Sequence, residues 1–420
     1  MEKSSGVLHA LSKHRTATTF TVADMASEPR FHEDLPHPSG HYDAVVVGAR
    51  AAGAATAMLL ARRGLHVLAI DKGTKGSDTL SSHALMRGAV TRLRRWGLLG
   101  RVWEAGTPVI RKSSFRYGAE VYELDVPAND EIPGLAAPRR TVLDPILVDA
   151  AIVAGAAVHH RTRLVGIDTD ATGRVRGVEL EFADGSTGAI STDLLIGADG
   201  LRSAVARQLD VPVTHRGTHA SAYVMRYFAD VNLPADRYMW LYRPGLGAGV
   251  IPTNDHTFCV FAAMPPDRFD TEARRDAAAA MSDVLRALDP DLQRVLDAGR
   301  AAGPLRSWPG VCAQFRKPYG PGWALVGDAG YFKDPFAAHG ISDAFRDAEL
   351  LTEATIDGDF PRYEHFRNEL SMPLLAVLER IASYDWDLDT LPNLHIQLAH
   401  AMREEEAALS AFAREAGVAA

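Results

Sequence analysis

From Asp43 onward, apolar residues come in short blocks separated by glycine, proline and charge, and the period of the blocks changes along the chain. Residues 43–47, "DAVVV", form a short β-branched apolar run, as expected of a strand buried on both faces of a parallel sheet. The Ala- and Leu-rich stretch 51–63 predicts a helix closed by Gly64, and 66–70 predicts a second strand ending at Asp71. A helical pattern follows over 84–105, then a hairpin at 114–125, and another helix opens near Leu143 after Arg139-Arg140. Residues 157–197 alternate through turn signals and end in the strand "DLLIG".

After Pro212 the pattern changes. Segments 220–230, 237–243 and 256–264 are aromatic and β-branched with Pro and Gly between them, which predicts an antiparallel sheet facing the substrate. Period-2 alternation puts Tyr223, Met225 and Tyr227 on one face and Val224, Arg226 and Phe228 on the other; Tyr238, Trp240 and Tyr242 also share a face. A helical pair at 271–301, a strand running into a loop at "GWALVGDAG", and helices from 341 onward complete the pattern. The last 60 residues read as external helices, with Glu404-Glu405-Glu406 as a solvated face.

Composition narrows the class. The 420 residues suffice for two or three domains, and 47% hydrophobic with 23% charged residues is ordinary for a globular protein. A net charge of -8 argues against a nucleic-acid partner, which would need a basic stripe. Two cysteines, Cys259 and Cys312, exclude a disulfide framework, a Cys-rich zinc site and an iron–sulfur cluster, and fit a cytoplasmic protein. No apolar run reaches the ~18 residues of an integral membrane segment. Residues 1–40 are rich in Ser, Thr, His and Pro, so a flexible extension is expected, with Met25 an alternative start. Their histidines match no ligand spacing, and no metal site is expected.

Three loops carry the chemistry. The first, Gly48-Ala49-Arg50-Ala51-Ala52-Gly53, is a dinucleotide fingerprint with Arg50 at its middle glycine. Asp71 closes the next strand, where a carboxylate accepts from ribose hydroxyls and repels a 2′-phosphate. The second, "LLIGADGLRS", sets Asp199 between Gly197 and Gly200. The third, residues 325–351, carries Gly327-Asp328, then Pro335, then Gly340 where a helix begins with N–H groups able to stabilise negative charge.

In this order and at these separations the loops resemble those of FAD-dependent monooxygenases of the para-hydroxybenzoate hydroxylase type, over about residues 43–351. Pro335, Ala338, His339, Gly340, Ser342, Asp347, Ala348 and Leu351 follow that family's last motif, with His339 replacing its usual Gln and Ser342 its usual Asn. Arg140 and Leu143-Asp144 resemble the segment that holds FAD from one side.

The resemblance implies an α/β fold: a Rossmann-like, glutathione-reductase-type FAD domain (41–113, 139–210, 306–360), an inserted antiparallel β-sheet substrate domain (114–138, 211–305) and C-terminal helices (361–420). It assigns FAD contacts to Gly48, Arg50, Ala52, Gly53, Asp71, Lys72, Arg140, Asp199, Gly327, Asp328, Pro335, Gly340 and Ile341. His83, Arg226, Tyr242 and His339 are the candidates for catalysis. Electrons would come from NADH or NADPH. O2 would be activated through a flavin C4a-hydroperoxide, and an aromatic or polycyclic small molecule of natural-product type would be hydroxylated or epoxidised. Homo-oligomerisation through the C-terminal helices is compatible with this.

Three rivals remain. Flavin-dependent halogenases carry W-x-W-x-I-P where this chain has Gly247-Ala248-Gly249-Val250-Ile251-Pro252. Reductases of the geranylgeranyl type share the scaffold, and a flavin-binding protein without turnover is the third. No G-x-S-x-G or H-E-x-x-H motif suggests hydrolysis.

Overall fold

The computed structural model describes residues 36–129 and 131–415, so the expected extension lies almost wholly outside the described residues. The first sheet has the order Tyr319–Gly320, Trp323–Leu325, Thr187–Gly197, His41–Val47, Val67–Asp71, Ala157–His160. Its central strands are parallel, with Val45 opposite both Leu68 and Leu195. Alternate residues of the central strands feed two cores, Val46 and Ala69 on one side, Val45 and Leu68 on the other. That explains the unbroken apolar runs. The helices Ala51–Arg62, Arg140–Val153 and Gly340–Asp357 cover the first side. An antiparallel extension, Arg163–Thr169 and Val175–Glu181, continues from the long strand Thr187–Gly197.

The second sheet has the order Arg300–Ala301, Ala222–Ala229, Thr257–Met264, Leu246–Thr253, Arg237–Arg243, Lys112–Tyr117, Glu120–Asp125, with Arg306–Trp308 pairing beside Ala222–Ala229. Tyr223, Met225, Tyr227, Tyr238, Trp240 and Tyr242 face the core shared with the first sheet. Val224 and Leu241 face the helices Ala277–Leu288 and Pro290–Ala298. The two-sheet α/β architecture matches the expected fold.

Several boundaries differ for local reasons. The helix expected over 84–105 is two, Arg87–Arg95 and Leu99–Glu104, broken where Gly97 takes a left-handed φ of 77°. Arg306–Trp308, expected with the first domain, belongs to the second sheet. Val213–Arg216, expected with the second, pairs instead with Gln314–Arg316 in a small third sheet completed by Tyr331–Phe332. The acidic triplet is not a solvated face. Glu405 is 4% exposed, Glu406 pairs with buried Arg92, and only Glu404 is left to solvent. Among the described residues, no helix is long and apolar enough to cross a membrane.

Candidate functional site: a dinucleotide cleft

Loops at the carboxyl ends of three adjacent parallel strands, His41–Val47, Thr187–Gly197 and Trp323–Leu325, converge on one cleft of about 990 Å³. This is where open α/β sheets bind nucleotides. Gly48, Arg50, Ala52, Asp71, Lys72, Arg140, Asp199, Asp328, Pro335, Gly340 and Ile341 all line it. Gly53 and Gly327 do not, and their geometry explains why they are glycines. A Cβ on Gly53 would overlap the Gly48 carbonyl oxygen, so Gly53 lets the helix sit on its own loop. Gly327 has φ 60°, and its Cβ would meet that of Ala52 at 2.9 Å.

Gly48 itself has φ 102°, and a Cβ there would overlap the Ala198 carbonyl. The first glycine therefore lets two of the three loops touch. Asp71 ties the same turn together, accepting from Ala49 N at 2.9 Å and Gly73 N at 2.7 Å.

Arg50 sits in extended backbone at the start of the helix Ala51–Arg62, where its Cβ is not strained. Its guanidinium donates to Ser77 O at 3.0 Å, Ser77 Oγ at 2.9 Å and Asp144 Oδ2 at 3.2 Å. Arg140 grips the same buried carboxylate with two bonds, at 2.8 and 3.1 Å. Asp144 thus presents two arginines to the cleft as a fixed pair, suited to a pyrophosphate. Arg50→Gly should fold and still take up FAD, with affinity weakened about tenfold for a lost charge-assisted contact. Fluorescence titration of the apoprotein reads this, and complete loss of binding would mean the Ser77–Asp144 brace shapes the whole loop.

FAD is tested by what the residues leave unpaired. Asp199 Oδ2 accepts from Ala204 N at 2.5 Å, while its buried Oδ1 has no hydrogen-bond partner among the described residues. The helices Ala51–Arg62 and Gly340–Asp357 begin at the cleft without side-chain caps. Away from the cleft, Ala277–Leu288, Pro290–Ala298 and Phe360–Ala382 are capped by Asp276, Asp289 and Asp359, whereas Arg87–Arg95 and Leu99–Glu104 are not. Free first-turn N–H groups at the cleft are an anion site. A Cβ on Gly340 would meet nothing within 4 Å, so that helix start is open to a ligand. These residues fit FAD.

At the opposite wall Asp334 accepts from Ser221 N at 2.5 Å, Phe336 N at 3.0 Å and the Tyr223 hydroxyl at 3.0 Å. Burial nevertheless raises its carboxyl to about 6. Asp328 opens into the cleft; the protein packed around it and neighbouring Asp343 raise it to about 6 against the pull of Arg140 and Lys333.

The four catalytic candidates do not form one constellation, and none of them lines the cleft. His83 lies just behind its wall, 1% exposed and at φ 62°, between Ser82 and Ala84, which do line it. Its Nε2 is hydrogen-bonded to the Tyr227 hydroxyl, and Arg139 stacks over that phenol at 4.4 Å. Burial, then Arg140, Arg139 and Arg306, lower His83 to about 3, so it is a neutral hydrogen-bonding group and a weak base at neutral pH. Tyr242 stacks between Tyr117 and Phe336, with His395 at 4.7 Å. His339 is buried behind Ala338 and Gly340, bonded to Glu405. Arg226 lies on the helix-backed face of its strand and donates to Gly303 O at 3.3 Å, which separates it from the cleft.

Other cleft residues escaped the sequence reading. Thr162–Val165 enter from the antiparallel extension, which no nucleotide motif announces. Arg202 and Arg207 line the cleft from the turn and helix just after Asp199, so their closeness to that motif was the available signal.

The uncapped helix starts and the paired arginines fit a dinucleotide, and the family match makes the protein an FAD-dependent oxidoreductase. Residues 41–355 match the family described as FAD binding domain, and the chain belongs to it, within the class A flavoprotein monooxygenase superfamily. Digeranylgeranylglycerophospholipid reductase 1 of Methanococcoides burtonii is 27% identical over 373 residues, 83% of this chain and 86% of that protein. The 2,4-dichlorophenol 6-monooxygenase of Delftia acidovorans is 27% identical over 286 residues, 57% of this chain and 46% of that protein. The solved flavin-dependent brominase Bmp2 has the same fold, with a TM-score of 0.73 at 19% identity, covering 89% of this chain and 100% of that one.

Proposed function

We propose that this flavoprotein is a monooxygenase that uses NADH or NADPH and O2 to oxygenate a flat aromatic or polycyclic small molecule. The observation that carries this reading is the inner face of the second sheet, whose aromatic residues pack in the core behind the cleft, Tyr227 bonded to His83 and Tyr223 to the cleft residue Asp334. A stiff aromatic layer of this kind holds the cleft wall in a fixed shape suited to a flat substrate. FAD supplies the redox chemistry when bound. The protein's part is to orient and to exclude water. Gly48, Asp71, Asp199 and the Arg50–Asp144–Arg140 unit hold the dinucleotide, and the neutral His83–Tyr227 pair offers hydrogen bonds without a charge. Burial holds the Tyr227 phenol well above its ordinary value against the pull of Arg139 and Arg306, so it stays a neutral partner of His83.

The halogenase reading finds no room for its tryptophans. A Cβ on Gly247 would meet Phe336 Cζ at 2.7 Å, and one on Gly249 would overlap Phe261. The reductase reading has one observation in its favour: similarity to the lipid reductase extends over most of both chains, whereas similarity to the dichlorophenol enzyme covers about half. Turnover of candidate substrates under ¹⁸O₂ separates the two. Label in the product is the expected result; a saturated product formed without O2 overturns the proposal in favour of a reductase.

A further inference from the structure

We propose that Glu405, on the C-terminal helix Leu391–Glu415, is a positioning residue for the flavin end of the cleft, acting through His339. The proposal rests on the reading that FAD fills the cleft, and takes its flavin ring to lie at Gly340, one of the FAD contacts that the resemblance implies.

Ala338, Gly340 and Ile341 line the cleft, while His339 between them turns its ring inward. That ring makes no capping bond to its own helix. Its hydrogen bond is to Glu405, with Nε2 donating to Oε2 at 2.8 Å across 66 residues of sequence. The other oxygen of Glu405 accepts from Arg346 at 2.8 Å. Arg346 also binds Asp343 at 3.0 Å and Asp347 at 2.8 Å, and Lys333 closes the set on Asp343. All six of these side chains are nearly inaccessible, with Glu405 4% exposed.

Such a cluster is not there for surface solubility. The three buried acids Asp343, Asp347 and Glu405 are each paired directly with Arg346, and Lys333 and His339 add further partners. Arg367 faces Asp347 from the helix Phe360–Ala382, and Asp328 faces Asp343 from the cleft, one charge of each sign. His339, Asp343 and Glu405 also have a spacing that could hold a metal ion, but Lys333 and Arg346 already occupy the carboxylates. Ala338 holds a left-handed φ of 50°, a conformation that its surroundings must maintain. Two ties from outside this segment can maintain it, the bonds of Asp334 to Ser221 and Tyr223 on one flank and the Glu405–His339 bond on the other. The C-terminal helix is therefore part of the cofactor site, though none of its residues lines the cleft.

The test is a double-mutant cycle on the full chain with Glu405→Gln, His339→Gln and both together. FAD dissociation constants and the visible circular dichroism of bound FAD are the readouts. Each single variant should weaken FAD about tenfold and alter the flavin dichroism, and the double variant should be no worse than either single, because the two residues act as one unit. A lowered unfolding midpoint with unchanged FAD affinity and dichroism would reduce the pair to a structural contact and overturn the proposal. Should Glu405→Gln not fold, His339→Gln, which leaves the Arg346–Glu405 pair intact, decides by the same two readouts. Gly340→Ala, whose Cβ meets no protein atom, tests the underlying reading separately. If it leaves the flavin dichroism unchanged, the flavin is not at Gly340. If it perturbs the flavin while the Glu405 and His339 variants do not, the reading stands and the positioning role fails.

Discussion

Gly48→Ala should lose about 3 kcal/mol of stability or more and retain no FAD through purification. Two separate penalties meet at that residue. Its φ of 102° lies where an L side chain is strained, and its Cβ would run into the Ala198 carbonyl. Relieving the overlap means moving either the Gly48 turn or the Ala198-Asp199 turn, and both line the cleft. The Ala198 side is held by Ala198 N donating to Val47 O at 2.8 Å, so the two turns cannot part without breaking sheet bonds. A urea midpoint and the flavin absorbance of the purified protein check both halves. An Ala variant that keeps its flavin would show that this loop adapts and that the close approach is incidental.

His395→Asn should gain on the wild type as pH falls, by about 1.4 kcal/mol per pH unit below 6.5. Burial holds the His395 imidazole near 3 in the folded protein, against 6.5 for the free side chain. Between those values the unfolded chain binds a proton that the fold refuses, so stability is lost as pH falls. The variant has no such group and escapes that loss. His83, also lowered to about 3, adds a contribution of the same sign that stays in both proteins and cancels in the comparison. Asp334 works the other way: raised to about 6, it takes up a proton in the fold first and adds stability as pH falls toward 3.8. The wild type's own acid curve is therefore a difference of opposing slopes, and the paired comparison isolates one of them. Denaturant melts of both proteins at several pH values between 7 and 4.5 provide it. Parallel curves would mean that His395 titrates normally.

The cofactor loops are legible in the sequence because each places a glycine or a carboxylate at a fixed offset from the end of an apolar run. Their partners are not. Gly48 is a glycine because of Ala198, and Arg50 is tolerated because Asp144 and Ser77 receive it; neither fact lies within one motif. Alternation correctly separates Tyr223, Met225 and Tyr227 from Val224, Arg226 and Phe228. It cannot say which face meets the cleft, because the helices Ala277–Leu288 and Pro290–Ala298 bury the other. That ambiguity put Arg226 among the catalytic candidates. The parallel pairing of Lys112–Tyr117 with Arg237–Arg243 joins segments with no local signal for each other. Glu405 was hidden for the same reason, since an acidic triplet on a helix looks like a surface until His339 and Arg346 are seen against it.

The strand order of the first sheet also bears on how the protein acquires its cofactor during synthesis. Trp323–Leu325 lies beside Thr187–Gly197, which lies beside His41–Val47, and the cleft is finished only by the helix opening at Gly340. A nascent chain released by the ribosome only as far as the second sheet has the first glycine turn but no floor on which to rest a flavin. Cofactor capture must therefore wait until about four-fifths of the chain has emerged. Until then the apolar edge of Thr187–Gly197 awaits its neighbour, and limiting riboflavin during expression prolongs the interval in which the newly made protein lacks its ligand's stabilisation.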